Sequence, residues 1–321
     1  MITIGSLLAH LEKSLFVIGD LLIDRTHYVD VSKLSPEAPV PVAMLTGAPV
    51  DTPGGAGLAA VYAAVNNLPI VFGTFTSQSM ANAISTKYKI PIVSPLVSGH
   101  SFNAIKTRYI DNERHYHLLR VDNDNLVAQP FVSCPETEEQ WFSNIKETLQ
   151  THEIKVLLLL DYRKGLLVKD RAQRLIAIAK AHNIPIYVDS RSRNLQNFKN
   201  ASILKLNAEE FSIACDTFGF ETKDSAAAIT IVNELNLEYL IVTLGADGAI
   251  LYDKTALVDN FETTKSSGSP DVTGCGDVFD VTFCYHWGIK EIDIIEAMAI
   301  AVNKATDFAY APIGERLKCQ K

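Results

Sequence analysis

Residues 269–283, SPDVTGCGDVFDVTF, set two glycines and a small cysteine before an aspartate and then run into an apolar segment of helical composition. Glycines let a backbone turn sharply and come close to a ligand. A helix that begins near Cys275 points its first free N–H groups at whatever occupies the turn, which makes the turn an anion site. Asp277 stands beside that site as a carboxylate. An anion cradle with a carboxylate in reach suits phosphoryl transfer, where catalysis is mostly positioning and charge stabilisation. The N–H groups of Gly274, Cys275 and Gly276 would hold the charge that develops on the transferred group, a contact often worth a few kcal/mol. Asp277 would accept the proton of the attacking hydroxyl. The plainer reading is an aspartate that complements a helix dipole.

Such a turn must be carried by a scaffold, and the pattern along the chain describes one. SLFVIGDLLID (14–24) is an apolar run of the kind found in buried parallel strands. Residues 26–48 hold short β-like pieces punctuated by prolines, which suit edge strands outside a main sheet. An alanine-rich helix opened by a glycine pair (54–68) and a strand (70–75) follow. Residues 101–122 read as two strands about a turn at Asp111 and Asn112. With 26–48 they would form a small sheet appended to the main one, a lid or a dimer contact.

From there helices and strands alternate: helix 136–150, strand 155–161, helix 168–182, strand 184–189, strand SILKL, helices from Asn207 and over 222–235, strands YLIVTL and GAILYD, and closing helices from Gly274 and Glu291. That alternation predicts a parallel sheet covered on both faces, with ligands at the carboxyl ends of its strands. Asp24, Asp161, Asp189 and Gly245 fall at such ends and would share one cleft. His115 and His117 would lie on one strand face, but no cysteine or third histidine accompanies them, so no metal site is expected there.

Composition narrows the function classes. A net charge of −8 over 321 residues argues against a nucleic-acid binder, which needs a basic surface. Five cysteines, odd in number and without a CxxC pair, suit the reduced thiols of a cytoplasm. The start of the chain reads as a short amphipathic helix rather than a signal peptide. No apolar run approaches bilayer length, so no membrane partner is expected. The expectation is a cytoplasmic α/β protein, one domain over 1–321, with lid segments at about 26–48 and 101–122.

GDLLID, PGGAG, NAEE, TLGADG and DVTGCGD occur in the order and spacing of the ribokinase-like (PfkB) sugar kinases, and the chain resembles that family from about residue 14 to 314. SKLSPEAPVPV, LDYRKG and DVTGCGD are most similar to the kinase domain of bacterial heptose 7-phosphate kinases and ADP-heptose synthases. Their pattern is roughly SRISPEAPVPV, SDYGKG and DVTGAGD. The resemblance implies a three-layer sandwich with a mostly parallel central sheet and a small β-sheet lid. It implies an ATP- and Mg²⁺-dependent sugar kinase with Asp277 as the catalytic base. Asn207 and Glu210 stand in the family's NxxE position, which helps arrange Mg²⁺ and the nucleotide phosphates. Helix capping is the competing reading of that pair. Thr243, Gly245 and Gly248 resemble the loop beside the nucleotide, and Asn303 falls where the family has an adenine-side asparagine.

For the sugar, Asp24 is the leading candidate, since a carboxylate can bind two hydroxyls with directional hydrogen bonds. Gly54 and Gly55 would bring backbone N–H groups close. A phosphate on the sugar needs cations, and Arg25, Lys33, Lys106, Arg108, Arg120 and Lys164 lie near the expected lid and cleft, with Arg108 and Lys164 assigned to substrate.

The chain departs from the family pattern at three places. Leu58 stands where an asparagine usually reaches the sugar, Arg163 replaces the glycine of DYGKG, and Cys275 replaces an alanine. The bifunctional relatives carry a second, nucleotidyl-transferring domain with an HxGH signature that this sequence lacks. The expected activity is phosphorylation of the anomeric hydroxyl of D-glycero-D-manno-heptose 7-phosphate by a stand-alone, homodimeric kinase, used for surface polysaccharide. A kinase for another sugar, or a family member that binds without turnover, is the alternative.

Overall fold

The computed structural model describes residues 12–94, 104–123, 135–191, 193–264, 270–312 and 316–317. The amphipathic segment expected at the very start lies outside them. The chain opens with β1 (Ser14–Gly19), every residue of which is buried. It leaves that sheet at Asp20 and runs through β2 (Leu21–Leu34), β3 (Pro41–Leu45) and β4 (Val50–Gly55). The apolar run 14–24 is therefore two strands in two sheets. Asp24 lies inside the long β2, a correction to its expected place at the end of a main-sheet strand. The run is apolar on both sides of Asp20 because both strands are buried where they meet, which hides the switch.

Next come α1 (Ala56–Val65), β5 (Ile70–Gly73), α2 (Gln78–Tyr88) and the two-residue β6 (Ile92–Val93). The glycine pair ends β4, and Gly55 is at the same time the N-cap of α1. β7 (Ala104–Asp111) and β8 (His117–Asn123) make the expected hairpin. His115 sits in its turn at φ +58 and His117 begins β8, so the two histidines do not share a strand face.

The alternating half is α3 (Pro135–Thr151), β9 (Ile154–Asp161), α4 (Lys169–Ala181), β10 (Ile186–Ser190), β11 (Ile203–Asn207), α5 (Ala208–Phe218), α6 (Ser225–Glu234) and β12 (Tyr239–Thr243). β13 (Ala249–Tyr252) and β14 (Leu257–Phe261) follow, then α7 (Cys275–Cys284) and α8 (Ile294–Tyr310).

Nine strands form the main sheet in the order β14-β13-β12-β11-β10-β9-β1-β5-β6. From β6 to β12 every pairing is parallel, and β13 and β14 close one edge antiparallel. Alternate residues of each strand serve opposite faces. Leu157 and Leu159 pack with Trp141, Leu175 and Ile231 under α3 to α6. Val156, Leu158 and Leu160 pack with Val278, Phe283 and Met298 under α1, α7 and α8. Two buried faces favour apolar residues at most positions, which is why the strands read as largely apolar runs.

The second sheet has the order β3-β2-β7-β8, with β4 also paired to β2. It is the small lid sheet expected from 26–48 and 101–122. Its outer residues are open: Leu34, Met44, Leu45 and Leu119 are each more than half exposed.

Candidate active site

The glycine turn does precede a helix. Gly274 is the N-cap of α7 at φ +83, a left-handed conformation that L side chains rarely adopt. A Cβ on it would also lie 2.6 Å from Leu58 Cδ2, so the turn closes against α1. Leu58, read as a lost sugar contact, packs on the turn. The Cys275 N–H donates to the Val272 carbonyl at 3.2 Å, so that member of the expected trio is turned inward. The N–H groups of Gly276 and Asp277 head the helix with no acceptor among the described residues.

Asp277 lies in the first turn of α7 and is buried. Its carboxyl is pushed up to about 6, chiefly by burial. The Tyr162 hydroxyl and the charges of Lys205 and Arg191 pull the other way. The Tyr162 hydroxyl donates to Asp277 Oδ1. Burial and the Asp277 charge hold that phenol well above its ordinary value, so it remains a donor. The Arg191 guanidinium stacks 4.4 Å above the Tyr162 ring.

Tyr162 is itself held from below. Asp20, fully buried at the end of β1, accepts three backbone N–H groups, from Tyr162 (3.1 Å), Lys164 (3.0 Å) and Leu166 (3.1 Å). Those bonds clamp the DYRKG loop onto the sheet. Burial and the neighbouring Asp161 push Asp20 up to about 6, against the pull of the three N–H groups. Within the loop Arg163 takes φ +59. The family pattern has glycine there, and a left-handed arginine costs about 1–2 kcal/mol.

Beneath the turn, the Lys205 ammonium sits between Asp189 Oδ2 (2.8 Å) and Asp280 Oδ1 (2.9 Å), and the Tyr187 hydroxyl donates to Asp280 Oδ1 at 2.8 Å. Its Nζ is 3.3 Å from where a Cβ on Gly276 would stand. Burial alone would push Lys205 down, but the two carboxylates outweigh it and keep the ammonium charged. A cation here fixes α7, through Asp280, to the ends of β10 and β11.

Asn207 ends β11, paired in register with Thr243 on β12. Its Oδ1 accepts the Glu210 N–H at 2.8 Å while Glu210 Oε2 accepts the Asn207 N–H at 2.8 Å. The NAEE segment is thus a capping box at the start of α5. Among the described residues, Glu210 Oε1 has no hydrogen-bond donor. Burial, then the charge of Asp189, pushes this carboxyl up. Gly245 and Gly248 flank the short turn between β12 and β13. Asn303 lies on an exposed part of α8.

On the lid side three expected residues come together. Asp24 Oδ1 takes Arg108 Nη1 at 2.5 Å, and a Cβ on Gly54 would stand 2.2 Å from Asp24 Oδ2. Only glycine admits that carboxylate. Gly55 adjoins the Asp20 carbonyl, which ties this cluster to the loop that carries Tyr162 and Lys164. Lys106 pairs in register with Asp24 and is pushed down by burial first and then by the charge of Arg120, with Lys164 adding to it. Arg25 and Arg120 form two-pronged ion pairs with Asp51 and Asp122.

Tyr162, Asp20, Lys205, Arg191 and Asp280 are the residues that pattern reading missed as a group. The available signal was a charge inside an apolar run, as in FVIGDLL, ILKLN and DVFDVTF, since a buried charge requires a partner. The partner's identity was not readable. Among the described residues no group of three or more His, Cys, Asp or Glu side chains could hold a metal by itself.

A profile of the pfkB family carbohydrate kinase matches residues 12–305. The bifunctional protein HldE of Pseudomonas entomophila is 29% identical over 308 residues, covering 94% of this chain and 61% of that protein. HldE of Campylobacter curvus is 30% identical over 310 residues, with 94% and 62% covered. The chain thus spans about three fifths of the length of these curated relatives. Among solved structures, Escherichia coli phosphofructokinase-2 in its tetrameric inhibited form superposes with a TM-score of 0.70 at 15% identity, over 96% of this chain and 97% of that one. Thermotoga maritima ribokinase gives 0.68 at 19% identity, over 95% and 98%.

Proposed function

Since the chain belongs to the pfkB family of carbohydrate kinases, we propose that this cleft transfers the γ-phosphoryl group of ATP to a hydroxyl of a sugar that already carries a phosphate, most specifically the anomeric hydroxyl of heptose 7-phosphate. The observation that carries the reading is Asp277. It is a buried carboxylate in the first turn of a helix whose free N–H groups head an anion site, and the Tyr162 hydroxyl holds one of its oxygens. Asp277 takes the proton as the sugar oxygen attacks phosphorus. The new O–P bond forms, the bond to the β-phosphate oxygen breaks, and ADP leaves. The N–H groups of Gly276 and Asp277 hold the charge on the transferred group. Arg191, beside Asp277 and Glu210, adds a cation on the same side.

ATP as donor is supported by the likeness to the ribokinase of Arabidopsis thaliana, solved with ribose and ATP, at a TM-score of 0.66 and 13% identity over 94% of each chain. Mg²⁺ usually binds through one or two carboxylates plus substrate phosphates. The single free Glu210 oxygen fits that role better than an all-protein cage. Bound with the nucleotide, Mg²⁺ would neutralise phosphate charge.

The phosphate on the acceptor is argued from Lys106, Arg108 and Lys164, which gather beside Asp24 and Asp122. The heptose assignment rests on SPEAPVP and the likeness to the HldE proteins. The test is ADP release with Mg-ATP against heptose 7-phosphate, other sugar phosphates and free sugars. Turnover confined to heptose 7-phosphate is the expected result. Turnover of free sugars alone would refute the phosphate subsite, and no turnover with ATP still bound would favour a binding protein.

A homodimer through the lid sheet is proposed from its exposed Leu34, Met44, Leu45 and Leu119, an apolar surface of the kind that marks an association site. A monomeric mass at micromolar concentration would sink it.

A further inference from the structure

The loop that carries the anion site is held by a cation outside the cleft. Arg316 is only 7% exposed at its side chain. Its Nη1 donates to Asp271 Oδ2 at 2.8 Å, its Nη2 to the Ala309 carbonyl at 2.7 Å, and its Nε to the Ala311 carbonyl at 3.0 Å. The guanidinium also lies 5.0 Å from the Phe308 ring centre. Ala309 and Ala311 stand at the C-terminal end of α8, where carbonyls lack helical partners. Asp271 opens the segment DVTGCGD.

Both oxygens of Asp271 are engaged. Oδ2 takes Arg316, and Oδ1 takes the Thr273 N–H at 3.0 Å. The Asp271 N–H donates to the Ala309 carbonyl at 3.1 Å. One residue past Thr273 is Gly274, closed on one side by Leu58 and Phe308. The Asp271 carboxylate therefore joins the turn to the guanidinium, beside the backbone bond from Asp271 to Ala309.

We propose that Arg316 is a positioning residue for phosphoryl transfer: its guanidinium fixes the Asp271 turn and thereby aims the Gly276 and Asp277 N–H groups at the transferred phosphoryl group. Arg316 touches no reacting atom. The task requires a guanidinium, because three acceptors converge on one planar fork that an ammonium cannot match. The proposal rests on the kinase reading, and it goes beyond that reading in assigning a role to a residue remote in sequence from every motif of the site.

The test compares wild type with Arg316→Ala and Arg316→Lys on whichever acceptor the panel identifies, with and without added guanidinium chloride and with sodium chloride as control. Arg316→Ala should lose about a hundredfold in kcat, the scale of a misplaced reacting geometry, with the KM for acceptor within about threefold of wild type. Guanidinium, not sodium, should restore at least part of kcat, and Arg316→Lys should resemble Arg316→Ala. A kcat within about threefold of wild type overturns the proposal. So does a loss without guanidinium rescue that tracks a lowered unfolding temperature, since that is the signature of a strap and nothing more. Arg316→Gln, which keeps most of the stem, takes the same measurements if the alanine variant does not fold. If wild type turns over no sugar, the kinase reading fails on its own. The proposal is then read by binding of ADP with aluminium fluoride, a mimic of the transferred group: binding weakened at least tenfold in Arg316→Ala supports it, and unchanged binding overturns it.

Discussion

Replacing Tyr162 by phenylalanine removes one hydroxyl and leaves the ring that lies under Arg191 and packs on Leu22 and Ala104. The lost contact is a hydrogen bond to the Asp277 carboxylate, which sits at about 6 with burial as the main cause and Tyr162 as the first opposing one. A hydrogen bond to a charged group is worth about 1.5–3 kcal/mol. At 1.36 kcal/mol per pKa unit, the lower end is about one unit, which takes Asp277 from about 6 to about 7. The base works ionised, so raising its pKa moves the acid limb of kcat to higher pH. The ionised fraction falls about fivefold at pH 6, about twofold at pH 7, and hardly at all at pH 9. The ratio of wild-type to Tyr162→Phe kcat should therefore fall toward one as pH rises. Saturating ADP-release assays from pH 5.5 to 9 measure it, and the substrate's own titration is common to both proteins and cancels. A loss of equal size at every pH would refute the reasoning and assign Tyr162 to geometry alone.

Asp277→Asn should abolish most turnover while nucleotide binding persists, and it should also stabilise the fold at high pH. The carboxyl is raised from 3.8 to about 6, so the stability of its protonated form is complete below about pH 4 and is lost as pH rises through 6. The loss is about 3 kcal/mol. Melting temperatures should separate by several degrees at pH 8 and converge at pH 4; equal values at pH 8 would contradict the burial argument. Gly54→Ala places a methyl 2.2 Å from Asp24 Oδ2. It should raise the KM for acceptor at least tenfold with circular dichroism unchanged, and an unaltered KM would remove Asp24 from the sugar site. Leu58→Asn should open polar space beside Gly274 and lower the melting temperature, since a half-buried leucine packed on the turn contributes about 1 kcal/mol. If Leu58→Asn melts as wild type does, the turn does not depend on that packing.

What the amino-acid sequence determined by itself was local and periodic. Apolar runs separated by amphipathic segments specified parallel strands under helices, because β1 and β9 feed apolar side chains into the cores on both faces of the sheet. DVTGCGD specified a left-handed glycine before a helix that carries an aspartate in its first turn, because φ +83 and a free helix N-terminus are properties of neighbouring residues. Asn207 and Glu210 were legible as a capping box for the same reason.

Tertiary structure alone decided the rest. The exit of the chain from the main sheet at Asp20 was hidden inside one apolar run, since burial on either side looks alike in sequence. The pairing of Tyr162 with Asp277 joins residues 115 apart, and Arg316 with Asp271 joins residues 45 apart. Lys205 announced that a buried charge needed a partner, but only the register of β10 against β11 and the seat of α7 chose Asp189 and Asp280. A side chain's type states which interactions it requires. Which residues meet that requirement depends on distances in three dimensions, and those are set by the packing of the whole sheet.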